Sequence, residues 1–201
     1  MLRHIIADKT FAEAFFRNHD SPMVREANAF CVNAHGCIDQ RRKYTGEPYS
    51  VHPIAVARIV ACVTPHEAAI SAALLHDVAE DTHFNRVSIE RRFGEDVAAL
   101  VDAVTDRSRP QDGNRAARKA IDLDWLCRAS SDAQTIKLAD LIHNTLSITR
   151  YDPSFAHVYM REKRDLVMAM ERGDAKLHDL ASRMVSLFEN GGDPAEVIQS
   201  V

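Results

Sequence analysis

The chain has 201 residues, of which 46% are hydrophobic, which is enough for one well-filled domain and little more. Its formal net charge is −4 and its pI is near 6.2, a balance that argues against a protein that mainly binds the nucleic-acid backbone. We therefore expect a single domain over residues 1–201. A small anionic ligand remains compatible with this charge, because local basic clusters persist within an acidic average.

The cysteine content and the N-terminal segment indicate the cellular compartment of the protein. The cysteines form no CxxC pair and are too sparse for a disulfide scaffold, which favours a reducing cytosol. The opening MLRHIIADKTFAEAFF is interrupted by Asp8, Lys9 and Glu13, so it lacks the apolar core of a signal peptide. No segment approaches the ~20 apolar residues of a membrane span. The sequence predicts a soluble, cytoplasmic protein without nucleic-acid or membrane partners, and it allows a homo-oligomer.

The first half of the chain has apolar residues at helical spacing. Ser21 as N-cap and Pro22 as first helical residue predict a helix that runs to about His35. The segment CIDQRRKYTGEPYSVHP that follows is predicted to be a loop, because it carries a glycine and a proline. Further helices are predicted over His52–Val63 and from the start signal Thr64-Pro65 to His76 or a little later.

The second half continues this helical pattern. Two short helices hinged at Gly94 are predicted between Val87 and Ala103. The polar stretch DRSRPQDGNR is expected to be the most mobile loop. Four more helices are predicted over about Arg115–Ala129, Asp132–Thr149, Pro153–Glu171 and Ala175–Glu189. The predicted fold class is therefore all-α, without repeats or an interdomain linker.

The stretch ALLHDVAED, residues 73–81, places charged side chains directly after an apolar run. Burying an ionised carboxylate costs on the order of several kcal/mol unless opposite charge or hydrogen bonds compensate it. A histidine followed by an aspartate near a helix end offers a nitrogen and an oxygen ligand to a divalent metal. Helical spacing predicts that His76 lies above Glu80 and Asp77 above Asp81, so that a second row of polar groups faces the same cavity.

Two further polar residues lie in apolar surroundings, His52 in VHP and Asp140 in IKLADLIHN, with Asn144 one turn after Asp140. Each has a second interpretation. His52 before Pro53 also fits a helix cap, and Asp140 fits an ion pair with Lys137 on the helix surface. The HD dipeptide is common by chance, but an acidic run joined to AAISAALL is hard to solvate and favours a functional site.

Four segments in this order, RRKYTGEPYSVHPIAVARIVA, AALLHDVAEDT, RRFGEDVAALVDAVTD and TIKLADLIHN, resemble the hydrolase domain of RelA/SpoT homologues, within the metal-dependent HD phosphohydrolase superfamily. The resemblance covers about residues 25–150. It implies an HD-domain helical bundle on which the helices of residues 153–201 pack. Because no synthetase domain or regulatory tail follows, it also implies a stand-alone small alarmone hydrolase.

The resemblance also implies an activity and the residues that carry it. The activity is cleavage of the 3′-pyrophosphate of ppGpp and pppGpp, usually with Mn²⁺, and the adenosine analogues ppApp and pppApp stay open as substrates. The implied ligands of one metal ion are His52, His76, Asp77 and Asp140. Glu80 and Asp81 are implied to position and deprotonate the attacking water. Arg42 is implied to pack on the purine and Lys43 to reach the phosphates, while Asn144 contacts the nucleoside.

Three features lie outside this pattern. Arg115, Arg118 and Lys119 form a basic stripe that either holds the 5′-phosphates or is a solvated helix face. His35 matches the family's early histidine, but the gap to the Arg-Lys pair is two residues longer than the common pattern. Leu141 stands where a basic residue is usual, which bears on base preference.

Two other functions stay open from the sequence. One is a general HD phosphohydrolase that acts on another phosphate ester, such as NADPH or a nucleoside monophosphate. The segment RRKYTGEPY, which generic HD enzymes lack, counts against it. The other is a non-catalytic nucleotide-binding regulator or toxin-neutralising partner, and the intact Glu80 and Asp81 count against that.

Overall fold

The computed structural model describes residues 15–199, so the segment inspected for a signal peptide lies almost entirely outside the described residues. The described residues form helices and one isolated β-bridge, between Arg41 and Pro48, and contain no strand. The prediction of an all-α fold is confirmed. The chain divides between Asp102 and Ala103 into two compact units. The expectation of one domain over residues 1–201 stays a prediction.

The first unit begins as the sequence predicts. Its helices, with the last one ending just past the division, are α1 Pro22–Gly36, α2 Val51–Ala61, α3 Glu67–Leu75, α4 Val78–Asp81, α5 Arg86–Phe93 and α6 Glu95–Val104. The Ser21 hydroxyl caps α1 by accepting from the Val24 N–H at 3.4 Å, and Pro22 occupies the first helical position. Gly94 has φ +87°, a conformation that favours glycine, and separates α5 from α6 as predicted.

Helix α3 is the centre of this unit. Every residue of α3 after Glu67 is buried, and both α1 and α2 pack against it. A helix that is apolar on all sides has to be surrounded by protein. His76 and Asp77, which follow the last turn of α3, therefore begin directly at the edge of the core.

Two predictions about α3 are wrong. The helix starts at Glu67 with His66 as N-cap, and not at Thr64-Pro65, because the Thr64 side chain accepts the His66 N–H at 3.1 Å and holds a turn there. The helix also stops at Leu75, so His76 and Asp77 lie in a turn before α4. Of the two predicted i, i+4 pairs, the structure shows a helical hydrogen bond for Asp77 and Asp81, in which the Asp77 carbonyl accepts the Asp81 N–H at 2.9 Å.

The second unit matches the predicted helices closely. It contains a 3₁₀ turn Pro110–Asp112 and the helices α7 Arg115–Cys127, α8 Ser131–Tyr151, α9 Pro153–Ala169, α10 Ala175–Glu189 and α11 Ala195–Gln199. Side chains that accept a backbone N–H cap four of these helices at Asn114, Ser130, Asp152 and Asp174. Helix α8 packs against α9 and α10, and α9 also packs against α7. The 3₁₀ turn and α11 were not predicted.

Within the described residues, no helix is both long and apolar enough to cross a membrane. The four cysteines, Cys31, Cys37, Cys62 and Cys127, are all free thiols.

Lys163 on α9 is a buried charge-bearing residue that the sequence analysis did not single out. Its side chain is 1% exposed, and its ammonium group donates to the Thr145 hydroxyl at 2.7 Å. Burial lowers the pKa of Lys163 from 10.5 to about 7, although the charge of Asp140 acts in the opposite direction. In the unfolded chain the amine has its ordinary pKa of 10.5, so it keeps its proton between pH 7 and 10.5, where the folded protein has lost it.

Lys163→Met is therefore expected to raise the free energy of unfolding most below pH 7, where the folded protein also carries the buried charge. Between pH 7 and 10.5 the unfolded state binds the additional proton, so wild-type stability rises with pH by at most about 1.4 kcal/mol per pH unit and the advantage of the variant shrinks. Urea unfolding at several pH values in this window measures both slopes. Lys176→Met, which removes an exposed lysine of the same unit, is the matched control. A pH-independent difference between wild type and Lys163→Met would contradict the assignment.

Candidate metal centre and nucleotide site

His76 lies in the turn after α3 and is held in one orientation. Its Nδ1 donates to the carbonyl oxygen of Ala73 at 2.8 Å, in the last turn of the apolar helix. A proton fixed on Nδ1 leaves the lone pair on Nε2, which lies 3.2 Å from Asp77 Oδ1. A backbone carbonyl that fixes a histidine in this way is a common partner of metal-binding imidazoles. The local fold thus presents Nε2 as a ligand atom.

His52 meets the same carboxylate from α2. Its side chain is 1% exposed, and its Nε2 lies 3.5 Å from Asp77 Oδ2. The rings of His52 and His76 are 5.2 Å apart between centroids. The cap of α2 is Ser50, so the interpretation of His52 as a helix cap is wrong. Two imidazole nitrogens and a carboxylate meet at these distances in a His-His-Asp cluster, and these are ligand types that divalent metal ions take in proteins.

Asp77 has a partner that the sequence analysis missed. The Tyr49 hydroxyl donates to Asp77 Oδ2 at 2.8 Å, across 28 residues of sequence. Burial, and after it the charge of Asp77, raises the pKa of the Cys31 thiol. The only sequence signal for Tyr49 is its place in the segment GEPYSVHP.

Glu80 and Asp81 lie on the four-residue helix α4, and both are exposed. The expectation that this acidic run is hard to solvate is wrong for these two residues, because the break after α3 releases them from the core. Asp81 is held by Gln40, whose Nε2 donates to Asp81 Oδ2 at 2.9 Å. Asp77 remains partly buried, with 17% of its side chain exposed.

Arg42 and Lys43 lie in the loop between α1 and α2, which has a defined form. The Arg42 N–H donates to the Glu47 carbonyl at 2.9 Å, and the Gly46 N–H donates to the Arg42 carbonyl at 3.0 Å. Gly46 has φ +69°, so this turn needs glycine. The Arg42 guanidinium lies 5.8 Å from the centre of the Tyr49 ring, while Lys43 is exposed. Arg42 thus lies against the residue that bonds to Asp77.

Asp140 and Asn144 lie one turn apart on α8 of the second unit. Asn144 Nδ2 donates to Asp140 Oδ1 at 2.6 Å, which confirms the predicted i, i+4 relation. Lys137 Nζ lies 3.2 Å from Asp140 Oδ2, so the ion pair considered from the sequence also exists. It is not a surface pair, because only 19% of Lys137 and 8% of Asp140 are exposed.

Two residues of the basic stripe on α7, Arg115 and Lys119, line a cavity of about 190 Å³ within the second unit, and Leu141 also lines it. Arg115 makes two bonds to the Glu162 carboxylate at 2.6 and 2.8 Å, and these raise the pKa of Arg115. Lys119 bonds to Asp106 at 2.8 Å and to Asp122 at 3.3 Å. Arg118 is half-buried, and its Nε has no hydrogen-bond partner among the described residues.

Carboxylates thus compensate the charges of Arg115 and Lys119, and the stripe is not simply a solvated helix face. Phosphate binding by this stripe stays a prediction.

A family described as "HD domain" matches residues 27–167. A Synechocystis protein named as a probable guanosine-3′,5′-bis(diphosphate) 3′-pyrophosphohydrolase is 36% identical over 141 residues, which are 69% of this chain and 18% of that protein. The Xenopus tropicalis guanosine-3′,5′-bis(diphosphate) 3′-pyrophosphohydrolase MESH1 is 36% identical over 142 residues, 67% of this chain and 74% of that protein.

One solved structure, described as a metazoan ortholog of SpoT that hydrolyses ppGpp, superposes with a TM-score of 0.73 and 30% identity. The superposition covers 87% of this chain and 98% of the other.

Proposed function

The chain belongs to the HD domain family, and from this premise we propose that it is a metal-dependent hydrolase that converts ppGpp or pppGpp to GDP or GTP and pyrophosphate. The named activities of the Synechocystis and Xenopus relatives and of the metazoan SpoT ortholog support this substrate. The observation that carries the proposal is the convergence of His52 and His76 on Asp77 next to the acidic pair of α4.

The metal is proposed to be held by His52, His76 and Asp77, and the resemblance to RelA/SpoT homologues adds the buried Asp140 as a fourth ligand. When bound, a divalent ion supplies Lewis-acid chemistry, because it lowers the pKa of water and neutralises charge on a phosphoryl oxygen. We propose Mn²⁺ as that ion because the resemblance to RelA/SpoT homologues implies it, and the nitrogen and oxygen ligands, which also suit Fe, Zn or Mg, are compatible with it.

The chain's own residues are proposed to divide the remaining work. Glu80 and Asp81 take the proton of the attacking water, a role that their exposure on α4 permits. Arg42 stacks on the purine and Lys43 reaches the phosphates from the loop between α1 and α2. Asn144 contacts the nucleoside. For the 5′-phosphates we propose the basic stripe of Arg115, Arg118 and Lys119.

Two finer proposals concern the substrate base and the location. Arginine stacking is indifferent to the purine, so ppApp and pppApp are proposed as further substrates. A cytoplasmic location is proposed because the sparse cysteines fit a reducing compartment.

A nucleotide panel tests the function. Purified protein with Mn²⁺ is incubated with ppGpp, pppGpp, ppApp, NADPH and GMP, and the products are separated by anion-exchange chromatography. We expect pyrophosphate together with GDP from ppGpp. Release of orthophosphate from NADPH or GMP alone would instead identify a general HD phosphohydrolase. Nucleotide binding without any turnover would identify a regulator.

Arg42→Ala is expected to raise KM for ppGpp and ppApp by similar factors. A planar guanidinium can stack on either purine, and such a contact contributes about 1 to 3 kcal/mol to binding. Metal content should not change. Steady-state kinetics on both substrates measures this, with Arg41→Ala as the control, since Arg41 is exposed in the same loop and pairs with Asp39. A KM that rises for one base only would show that Arg42 contacts the base edge.

A further inference from the structure

The side chain of Gln40 connects two residues of the first unit that are far apart in sequence. Its Nε2 lies 2.9 Å from Asp81 Oδ2, and its Oε1 lies 2.6 Å from His35 Nδ1. A carboxylate only accepts hydrogen bonds, so the Gln40 NH₂ group has to face Asp81. The amide oxygen then faces His35 and accepts a hydrogen bond from the Nδ1–H group.

His35 fixes the orientation of this amide. The ring is 1% exposed at the end of α1, and its Nε2 has no hydrogen-bond partner among the described residues. The ring packs against Tyr49, with 4.9 Å between the centroids. A buried ring that is packed on one side and bonded through Nδ1 cannot turn without losing its one side-chain hydrogen bond. With Nδ1 protonated, a flipped Gln40 amide would place its oxygen against the Asp81 carboxylate and its NH₂ group against the Nδ1–H, and both hydrogen bonds would be lost.

The backbone of Gln40 strengthens this connection. Its N–H donates to the His35 carbonyl at 3.1 Å, and its carbonyl accepts the Tyr49 N–H at 3.0 Å. Gln40 thus joins the end of α1 to the residue that bonds to Asp77, while its side chain reaches the exposed Asp81. Helix α4 has only four residues and cannot hold Asp81 in place by itself.

We infer that Gln40 is a positioning residue for Asp81, and that the buried His35 sets the direction of its amide. This inference rests on the proposed function, in which Asp81 helps to deprotonate the attacking water. It gives His35, whose role the sequence left open, a task that requires neither metal nor substrate contact.

Gln40→Met and Gln40→Glu test the inference. Methionine keeps the shape and removes both bonds, and glutamate replaces the donor that faces Asp81 with a like charge. For both variants we expect kcat for ppGpp to fall about 10-fold or more, the scale of a lost supporting contact, with KM within about twofold. Metal content and melting temperature are measured in parallel, and the isosteric Gln40→Glu keeps the test valid if Gln40→Met folds poorly.

A double-mutant cycle separates positioning from a merely structural role. In the Asp81→Asn background, single-turnover rates should show no further loss from Gln40→Met, because the group that it positions is already disabled. An equal loss in both backgrounds, or normal kcat in Gln40→Met and Gln40→Glu, would overturn the inference alone. Failure of the wild-type protein to release pyrophosphate from ppGpp would overturn the proposed function, and the inference with it.

Discussion

Asp77→Asn is expected to lose the bound metal and the hydrolase activity together. Asparagine keeps the shape and can still accept the Tyr49 hydroxyl bond, but it lacks the negative charge that His52 and His76 face at 3.5 and 3.2 Å. Lewis-acid catalysis contributes several kcal/mol, so we expect kcat/KM to fall by about 10³-fold or more. Metal analysis by mass spectrometry and steady-state hydrolysis of ppGpp measure the two losses.

Stability provides an independent measurement of the same loss. A metal that binds only the folded chain stabilises it by about 2.7 kcal/mol at a hundred times its Kd, so the melting temperature of Asp77→Asn should lose its dependence on added Mn²⁺. Treatment of the wild type with EDTA should reproduce both defects, and Mn²⁺ should reverse them. His83→Ala, which removes an exposed histidine just after α4, is the matched control. Full metal content in active Asp77→Asn would exclude Asp77 as a ligand.

Glu80→Gln is expected to behave differently, because Glu80 lies on α4 outside the His-His-Asp cluster. The amide keeps the shape of the side chain and removes a proton acceptor. We expect metal content and melting temperature to stay at wild-type values while kcat falls by about 10²-fold or more, the scale of general-base loss. Metal analysis and steady-state kinetics on one preparation test both parts.

Glu90→Gln is the control for this substitution, since Glu90 lies on α5 and pairs with Arg86 at a partly exposed position where little energy depends on the pair. A near-normal kcat in Glu80→Gln would remove Glu80 from the mechanism. Loss of metal in Glu80→Gln would show instead that the residue supports the metal site.

Local chemistry explains which features could be predicted from the sequence. Ser21 and Pro22 start α1, and Gly94 separates α5 from α6. Each acts on residues next to it in the chain, so a short stretch of sequence is enough to predict these helix boundaries. The break between α3 and α4 carries no glycine or proline and was missed. It decides that His76 and Asp77 lie in a turn.

Long-range contacts account for most of the rest. Tyr49 reaches Asp77 across 28 residues and Gln40 reaches Asp81 across 41, and no spacing rule relates such positions. Lys163 is a similar case, since α9 shows ordinary amphipathic spacing and its amine is buried by packing against other helices, with Thr145 of α8 and Met184 of α10 beside it. His52 and the His76-Asp77 pair could be singled out from the sequence because each lies in a short contiguous motif, and binding of a metal by these residues stays a prediction.

The enclosure of α3 also constrains how this protein can change by mutation. Ala68, Ala69, Ala72 and Ala73 are small, and α1 and α2 lie against the same helix. A larger side chain at these positions overfills the space between three helices, and a polar one has no water to face. Any displacement is transmitted to Ala73, whose carbonyl holds His76, so variation that leaves folding intact could still misalign the ligand nitrogen. Adaptation of the substrate preference is therefore expected to proceed through the exposed positions of the loop between α1 and α2, while the sequence of α3 stays nearly fixed.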